Sequence, residues 1–181
     1  MKKTIYAEMM VHVPVCTSKE AKDILIISDD AELLNKEALR HQESTTTVVA
    51  CKLDTISSLE DDAYDVVISE MKLDAVLASQ INRILKDDAQ FVTTHPALDD
   101  TESNKEMMKI LGKYFKIIMP YNLGTNETAL LSSKEYHPTA DINLHRADMI
   151  DGLNYYNCDI HPAAFAMGNY IRKEYLGIVK N

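Results

Sequence analysis

The fold is decided by residues 23–41, which read DILIISDDAELLNKEALRH. Ile24–Ile27 is a short apolar run rich in β-branched residues, which predicts a buried strand ended by the polar turn Ser28-Asp29-Asp30. Apolar residues at helical spacing follow the turn, namely Leu33, Leu34, Ala38 and Leu39. The sequence therefore predicts a strand, a turn and a helix in succession.

The same alternation continues along the chain. Further strands are predicted at Thr45–Cys51, Tyr64–Ile68, Gln90–Thr94, Phe115–Met119 and Thr128–Leu131. Helices are predicted over residues 6–16, as an amphipathic segment ended by Pro14, and at Ile56–Leu59, Leu73–Leu85 and Glu102–Leu111, the last capped by Gly112. Strands alternating with helices favour right-handed crossovers. We therefore expect one doubly wound α/β domain over residues 1–181. Its mainly parallel sheet has helices on both faces and an antiparallel strand pair near the C-terminus.

Composition excludes several classes of protein. The 46% hydrophobic and 26% charged residues among 181 are typical of a folded chain, not of a disordered one. The net charge of −9 argues against nucleic acid and anionic membranes as partners. The longest apolar runs are far below the roughly 20 residues of a membrane span, and no export signal is visible. We expect a soluble, cytoplasmic protein whose three cysteines are reduced thiols.

Acidic residues follow two of the predicted strands. In an open α/β sheet, ligands bind beyond the carboxyl ends of the strands. Asp29 and Asp30 follow the first strand, where carboxylates favour a cation or sugar hydroxyls over phosphate, or else simply cap the next helix. Glu70 and Asp74 follow the strand at Tyr64–Ile68, where they are suited to accept protons or to hold amines, or else form an acidic helix start.

Other kinds of site have no support in the sequence. The six histidines show no metal-ligand spacing, so no metal site is predicted. No serine lies in a GxSxG turn and no cysteine has the context of a nucleophile, so covalent catalysis is not predicted either.

Two segments near the ends of the chain resemble one enzyme family. The family is the spermidine synthases, the polyamine aminopropyltransferases. Tyr6–Pro14, YAEMMVHVP, is similar to the helix that precedes their nucleotide-binding fold, and Tyr155–Ala166, YYNCDIHPAAFA, is similar to a segment near their C-terminus. Glu37–His41, EALRH, is similar to the end of that family's first helix. The resemblance covers nearly the whole chain, more weakly in the middle.

The resemblance implies a Rossmann-like fold of the S-adenosylmethionine-dependent methyltransferase type. It also implies transfer of an aminopropyl group from decarboxylated S-adenosylmethionine, a co-substrate, to putrescine, with no metal or other cofactor. Glu70 lies where the family has its basic aspartate, which makes it the candidate catalytic base. The candidate substrate-binding residues are Tyr6, Asp29, Asp30, Cys51, Asp74 and Tyr121, the last in a loop at Pro120–Gly124 that resembles a family loop with an offset of one residue.

The chain also departs from the family pattern. The glycine-rich donor turn of the family is replaced by Ser28–Leu33, which contains no glycine, so we expect side chains to hinder the donor. Six residues between His41 and Val48 are too few for the strand and helix that the family carries there. The family's N-terminal β-domain is expected to be absent.

Three alternatives stay open. One is a catalytically inactive relative that acts as a binding or structural protein. Another is a receiver-like signalling module, with Asp29 and Asp30 as its acidic pocket and Glu70 in place of its phosphoacceptor aspartate. The third is an ordinary small-molecule methyltransferase. The oligomeric state is also open, with a homo-oligomer among the alternatives.

Overall fold

The computed structural model describes residues 1–180. Six strands are present: β1 (Asp23–Ile27), β2 (Thr45–Val49), β3 (Tyr64–Ser69), β4 (Leu85–Thr94), β5 (Ile117–Asn122) and β6 (Thr128–Ser133). The described residues also form eight helices: α1 (Lys2–Thr17), α2 (Glu32–Ala38), α3 (Leu53–Ser57), α4 (Ala75–Ile84), α5 (Thr101–Leu111), α6 (Leu144–Asp148), α7 (Ile160–Ala163) and α8 (Asn169–Glu174).

All six strands form a single sheet in the order β2-β1-β3-β4-β6-β5. β2, β1, β3 and β4 are parallel, whereas β6 runs antiparallel to both β4 and β5. The predicted α/β class, with a mainly parallel sheet and an antiparallel C-terminal pair, is confirmed. Among the helices of residues 1–180, none combines the length and the apolarity that crossing a membrane requires.

Each face of the sheet carries its own hydrophobic core. Successive side chains of a strand point to opposite faces. Accordingly, Ile24 and Ile26 of β1 pack in one core with α1 and α2, and Leu25 and Ile27 pack in the other with α4 and α5. Helices therefore cover both faces, as predicted.

Helix α1 differs from its prediction in length and in character. It continues through Pro14 to Thr17, and every residue from Ala7 to Thr17 is buried, so it is not amphipathic. A proline inside a helix costs about 3 kcal/mol because it removes a hydrogen bond. Burial of side chains such as Met9 and Val13 on all sides outweighs that cost, since each contributes roughly 1.5–3 kcal/mol.

Other boundaries shift by a few residues. β4 begins at Leu85, where the helix was expected to end, because Leu85 already pairs with Tyr64 before a register shift to Gln90. β5 runs to Asn122, so it includes the first three residues of the loop expected at 120–126. Gly112 does follow α5 as predicted, although its backbone stays in the right-handed helical region.

Three histidines, one of them in α1 itself, are buried on the α1 side of the sheet. His12 contacts His41 through Nδ1 at 3.0 Å and Glu37 through Nε2 at 3.2 Å. His161 contacts the Tyr156 hydroxyl at 2.7 Å. Burial lowers the pKa of His41 to about 3 and that of His161 to about 4, and it lowers the pKa of His12 as well. All three are therefore neutral in the folded protein at pH 7.

We expect the protein to lose stability as the pH falls below about 6.5. The unfolded chain takes up protons there that the folded histidines do not, so each histidine lowers the free energy of unfolding by up to about 1.4 kcal/mol per pH unit. Urea unfolding at pH 7.5, 6.5 and 5.5 measures this slope. The variant His41→Gln should reduce it, and a free energy of unfolding that stays constant from pH 7 to pH 5 would contradict the assignment.

Candidate active site

A large cleft opens at the carboxyl ends of the parallel strands. Its volume is about 1160 Å³. The walls come from the start of α1, the ends of β3, β4 and β5, the start of β6 and the segment before α8. This is the edge where parallel α/β sheets bind ligands. The polar and charged side chains of the wall include Lys2, Lys3, Tyr6, Glu70, His95, Asp99, Asn122, Glu127 and Thr128.

Glu70 is held in this cleft by two hydroxyl groups. The residue follows β3 directly, and its backbone N–H donates to the carbonyl of Ile27 at 2.9 Å. The Tyr6 hydroxyl donates to Oε1 at 2.8 Å, and the Ser28 hydroxyl donates to Oε2. Each carboxylate oxygen has two lone pairs, so each retains one for a ligand. The arrangement gives a carboxylate of fixed orientation that can still accept a proton.

Tyr6 is held as the hydrogen-bond donor of this pair. Burial, followed by the charge of Glu70, raises the pKa of Tyr6 well above its ordinary value, and Glu127 adds to the effect. The phenol therefore keeps its proton at every physiological pH. A neutral aromatic ring beside two carboxylates provides an environment suited to an ammonium group.

The acidic turn after β1 makes different contacts. Asp29 accepts a hydrogen bond from the backbone N–H of Cys51 at 3.0 Å, which joins the ends of β1 and β2. Asp30 lies 3.7 Å from the ammonium of Lys3, and both of these side chains are largely exposed. Neither aspartate caps α2, whose first turn has no side-chain cap. The capping alternative is therefore wrong for this turn.

Two other predicted site residues have structural partners. Asp74 caps α4 by accepting from the backbone N–H of Leu77 at 2.8 Å, as the alternative for this residue expected. Tyr121 is fully buried, and its hydroxyl donates to the carbonyl of Met9 at 3.2 Å. Its ring packs at 5.1 Å from that of Phe165, in the core on the α1 face of the sheet.

The structure thus brings Tyr6 and Glu70 together in the cleft wall. The remaining predicted site residues, Asp29, Asp30, Cys51, Asp74 and Tyr121, lie outside that wall. Their part in substrate binding stays a prediction. In residues 1–180, no group of three or more His, Cys, Asp or Glu side chains is placed to hold a metal ion.

Sequence reasoning missed the residue that supports the cleft from behind. Glu8 is fully buried, and its carboxylate accepts from the backbone N–H groups of Asn154, Tyr155 and Tyr156 at 2.8–3.0 Å, and from the Asn154 side chain at 2.9 Å. The signal was present, because Glu8 interrupts an apolar run, and a buried carboxylate needs hydrogen-bond donors.

Gly124 connects this support to the loop between β5 and β6. Its φ is +70°, and a Cβ atom here would lie 2.4 Å from the ring of Tyr155. Only glycine permits both this backbone conformation and this close approach. Glu8 therefore holds the segment on which the cleft-lining loop packs.

Comparison with known proteins agrees with this architecture. No protein-family model matches the chain. The polyamine aminopropyltransferase of Helicobacter acinonychis is 27% identical over 90% of this chain and 73% of its own length. That of Clostridium acetobutylicum is 25% identical over 94% of this chain and 77% of its own length. Over most of its length, the chain is therefore similar to polyamine aminopropyltransferases.

Solved structures of spermidine synthases share the fold of this chain. Spermidine synthase from Thermotoga maritima superposes with a TM-score of 0.82 at 21% identity, over 95% of this chain and 74% of that one. A spermidine synthase in complex with the transition-state analogue AdoDATO gives 0.83 at 20% identity, over 95% and 75%. The Rossmann-like fold expected from the terminal motifs is confirmed.

Proposed function

We propose that this chain is a polyamine aminopropyltransferase that moves an aminopropyl group from decarboxylated S-adenosylmethionine to putrescine. The observation that carries the proposal is the Tyr6–Glu70 pair in the wall of the cleft at the carboxyl ends of the strands. The names of the related transferases support the same activity.

The reaction is a direct displacement. The lone pair of the amine nitrogen attacks the methylene carbon next to the sulfonium, a C–N bond forms and the C–S bond breaks. The electrons of the C–S bond stay on sulfur, which leaves as the neutral thioether of methylthioadenosine. Loss of the positive charge on sulfur assists its departure, so the step itself calls for no metal or further cofactor.

The protein must supply alignment and a base. An alkylammonium has a pKa near about 10, so the attacking nitrogen has to lose a proton before it reacts. Glu70 is suited to take that proton because its orientation is fixed by two hydroxyls and each oxygen keeps a free lone pair. Holding the two reactants in line contributes much of the remaining rate enhancement.

The donor would bind across the ends of β1 and β2, beside Glu70. Ser28, Asp29 and Cys51 lie at these strand ends, and the Asp29 carboxylate already accepts the Cys51 N–H. A carboxylate can accept hydrogen bonds from ribose hydroxyls, and its negative charge attracts the positively charged sulfonium. Side chains nevertheless stand where the family has glycine, so we propose that the donor binds more weakly here than in its relatives.

Calorimetric titration with methylthioadenosine is the first test. We expect saturable heat with a dissociation constant below about 1 mM, because the carboxylate of Asp29 at the strand ends can accept a hydrogen bond from a ribose hydroxyl. Incubation with decarboxylated S-adenosylmethionine and putrescine should then yield spermidine and methylthioadenosine, detected by chromatography.

Two negative results would favour the non-catalytic alternative. These are no heat at millimolar methylthioadenosine and no spermidine after prolonged incubation at high protein concentration. Labelling by a phosphoryl donor would instead support the receiver-like alternative.

The proposed aminopropyltransferase comprises residues 1–181 as one catalytic domain. In this proposal it works in the cytoplasm on small molecules and not on nucleic acid. Sedimentation tests whether it forms a homo-oligomer.

A further inference from the structure

A hydrogen-bonded chain of three side chains lies at the same cleft as Glu70, beyond the end of the neighbouring strand β4. His95 follows β4, Asn104 belongs to α5, and Thr128 begins β6. His95 Nδ1 lies 2.6 Å from Asn104 Oδ1, and His95 Nε2 lies 2.9 Å from the Thr128 hydroxyl. His95 and Thr128 both line the cleft, whereas Asn104 is fully buried behind them. None of the three belongs to the terminal motifs.

The surroundings of Asn104 fix the direction of every hydrogen bond in this chain. Its Nδ2 contacts three backbone carbonyls at 2.8–3.1 Å, those of Pro96, Ala97 and Asp100. Carbonyls only accept, so this end of the amide must be the NH₂ group and Oδ1 must be the acceptor for His95. His95 therefore carries its hydrogen on Nδ1.

The lone pair of His95 then faces Thr128. Burial lowers the pKa of His95, against the opposing effect of its hydrogen bonds, so the ring is neutral at pH 7. A neutral ring with hydrogen on Nδ1 has only a lone pair on Nε2, so the Thr128 hydroxyl must donate its single hydrogen there. Toward the cleft, Thr128 can act only as an acceptor.

We propose that the Thr128 hydroxyl, oriented by His95 and Asn104, binds the remote ammonium group of a linear diamine whose reacting amine lies at Glu70 and Tyr6. The inference rests on the proposed function and adds a specific contact to it. A hydroxyl that can only accept selects a ligand hydrogen-bond donor such as an ammonium N–H, and it disfavours a ligand group that can only accept.

Charge in the same wall agrees with a cationic ligand. Glu127 is the neighbour of Thr128 in sequence, and Asp99 lies on the loop organised by Asn104; both line the cleft together with Glu70. The lysines of the wall, Lys2 and Lys3, are at the start of α1, and Lys3 is within 3.7 Å of Asp30. The His95 side of the cleft therefore presents carboxylates and a hydroxyl acceptor.

The test compares a diamine with a monoamine of the same length. Putrescine and butylamine are titrated calorimetrically into the wild type and the variants Thr128→Val and Thr128→Ser, with and without methylthioadenosine. We expect Thr128→Val to weaken putrescine binding by about tenfold or more, the size of one hydrogen bond to a charged group. Thr128→Ser should stay within about threefold of the wild type, because it keeps the hydroxyl. Butylamine, which has no remote ammonium, should bind equally to all three proteins.

Two further variants complete the design. His95→Leu should also weaken putrescine, because the freed Thr128 hydroxyl can then point its hydrogen into the cleft. Thr46→Val is the matched control, since its buried hydroxyl in β2 has no hydrogen-bond partner and lies outside the cleft. Thermal unfolding of each variant shows whether it folds.

Several results would overturn the inference. They are unchanged putrescine affinity in a folded Thr128→Val protein, equal weakening for butylamine, and no putrescine binding by the wild type under either condition. Failure of the proposed function looks different. If the protein binds putrescine with this dependence on Thr128 but forms no spermidine, the ammonium contact is supported and the proposed transferase activity is wrong. If the wild type forms spermidine and Thr128→Val does so with the same kinetics, the transferase activity is supported and the ammonium contact is wrong.

Discussion

Replacing Glu70 by glutamine should lower kcat for spermidine formation by about 10²–10⁴-fold, the usual contribution of a positioned general base. The change removes the proton acceptor and keeps the size of the side chain. The single oxygen of the glutamine amide can still accept from the hydroxyl of Tyr6 or of Ser28. Whichever hydroxyl is left can rotate to accept from the new NH₂ group. Steady-state assays with putrescine, together with titration of methylthioadenosine, measure the effect.

The matched control is Glu102→Gln, the same substitution at an exposed position in the first turn of α5. It should leave kcat within about threefold, as surface changes usually do. Nucleoside binding by Glu70→Gln should also be unchanged, which separates loss of the base from loss of the fold. If Glu70→Gln retains full activity, the catalytic assignment fails, whatever the behaviour of the control.

The strands were predictable because burial dictates their composition. Ile24–Ile27 and Val66–Ile68 lie between two helical layers, so both of their faces must be apolar, and such runs are recognisable without any structure. The position of Glu70 was predictable from topology, since a residue that directly follows a parallel strand lies at the edge of the sheet where ligands bind. Local pattern and topology sufficed for this part of the site.

Other features depend on partners that are far away in sequence. The length of α1 could not be predicted from Pro14, because the packing that outweighs the proline comes from the sheet and from residues beyond 140. The chain His95-Asn104-Thr128 joins three elements and has no sequence spacing of its own. Its direction follows only from three carbonyls that surround one amide.

Tyr121 illustrates how much an offset of one residue matters when a loop is identified by resemblance. The segment it occupies continues β5, where Tyr121 pairs with Ala129, and Asn122 is the residue that lines the cleft. Because neighbouring strand residues face opposite sides, an offset of one residue moves a side chain from the cleft into the core. The loop comparison carried that offset, and it could not establish which face Tyr121 takes.

The largest effect on stability should come from Glu8. We expect Glu8→Ala to lower the free energy of unfolding by about 3–5 kcal/mol, the range for breaking a buried charged network. Four N–H donors of Asn154, Tyr155 and Tyr156 lose their acceptor. Because the site is fully buried, water does not readily enter to replace the lost carboxylate. Urea unfolding at pH 7.5 measures the loss.

The pH dependence of the wild type bears on the same group. Burial tends to raise the pKa of Glu8, but the hydrogen bonds from Asn154, Tyr156 and Tyr155 outweigh it and hold the pKa below its ordinary value. A carboxylate with a lowered folded pKa stabilises the protein fully above the unfolded value near about 4.3, and this contribution disappears as the pH falls through the folded value. The Glu8 variants should lose this part of the acid transition.

Glu8→Gln separates the shape of this side chain from its charge. In glutamine an NH₂ group replaces one of the two carboxylate oxygens, and all the groups around it are N–H donors. Donor then faces donor, so these contacts become repulsive although the packing is kept. We therefore expect Glu8→Gln to lower the free energy of unfolding nearly as much as Glu8→Ala does. Because Tyr155 packs against Gly124 beside the cleft, both variants should also weaken putrescine binding before they unfold. A Glu8→Gln protein as stable as the wild type would show that the donors find other partners, and that Glu8 does not support the cleft.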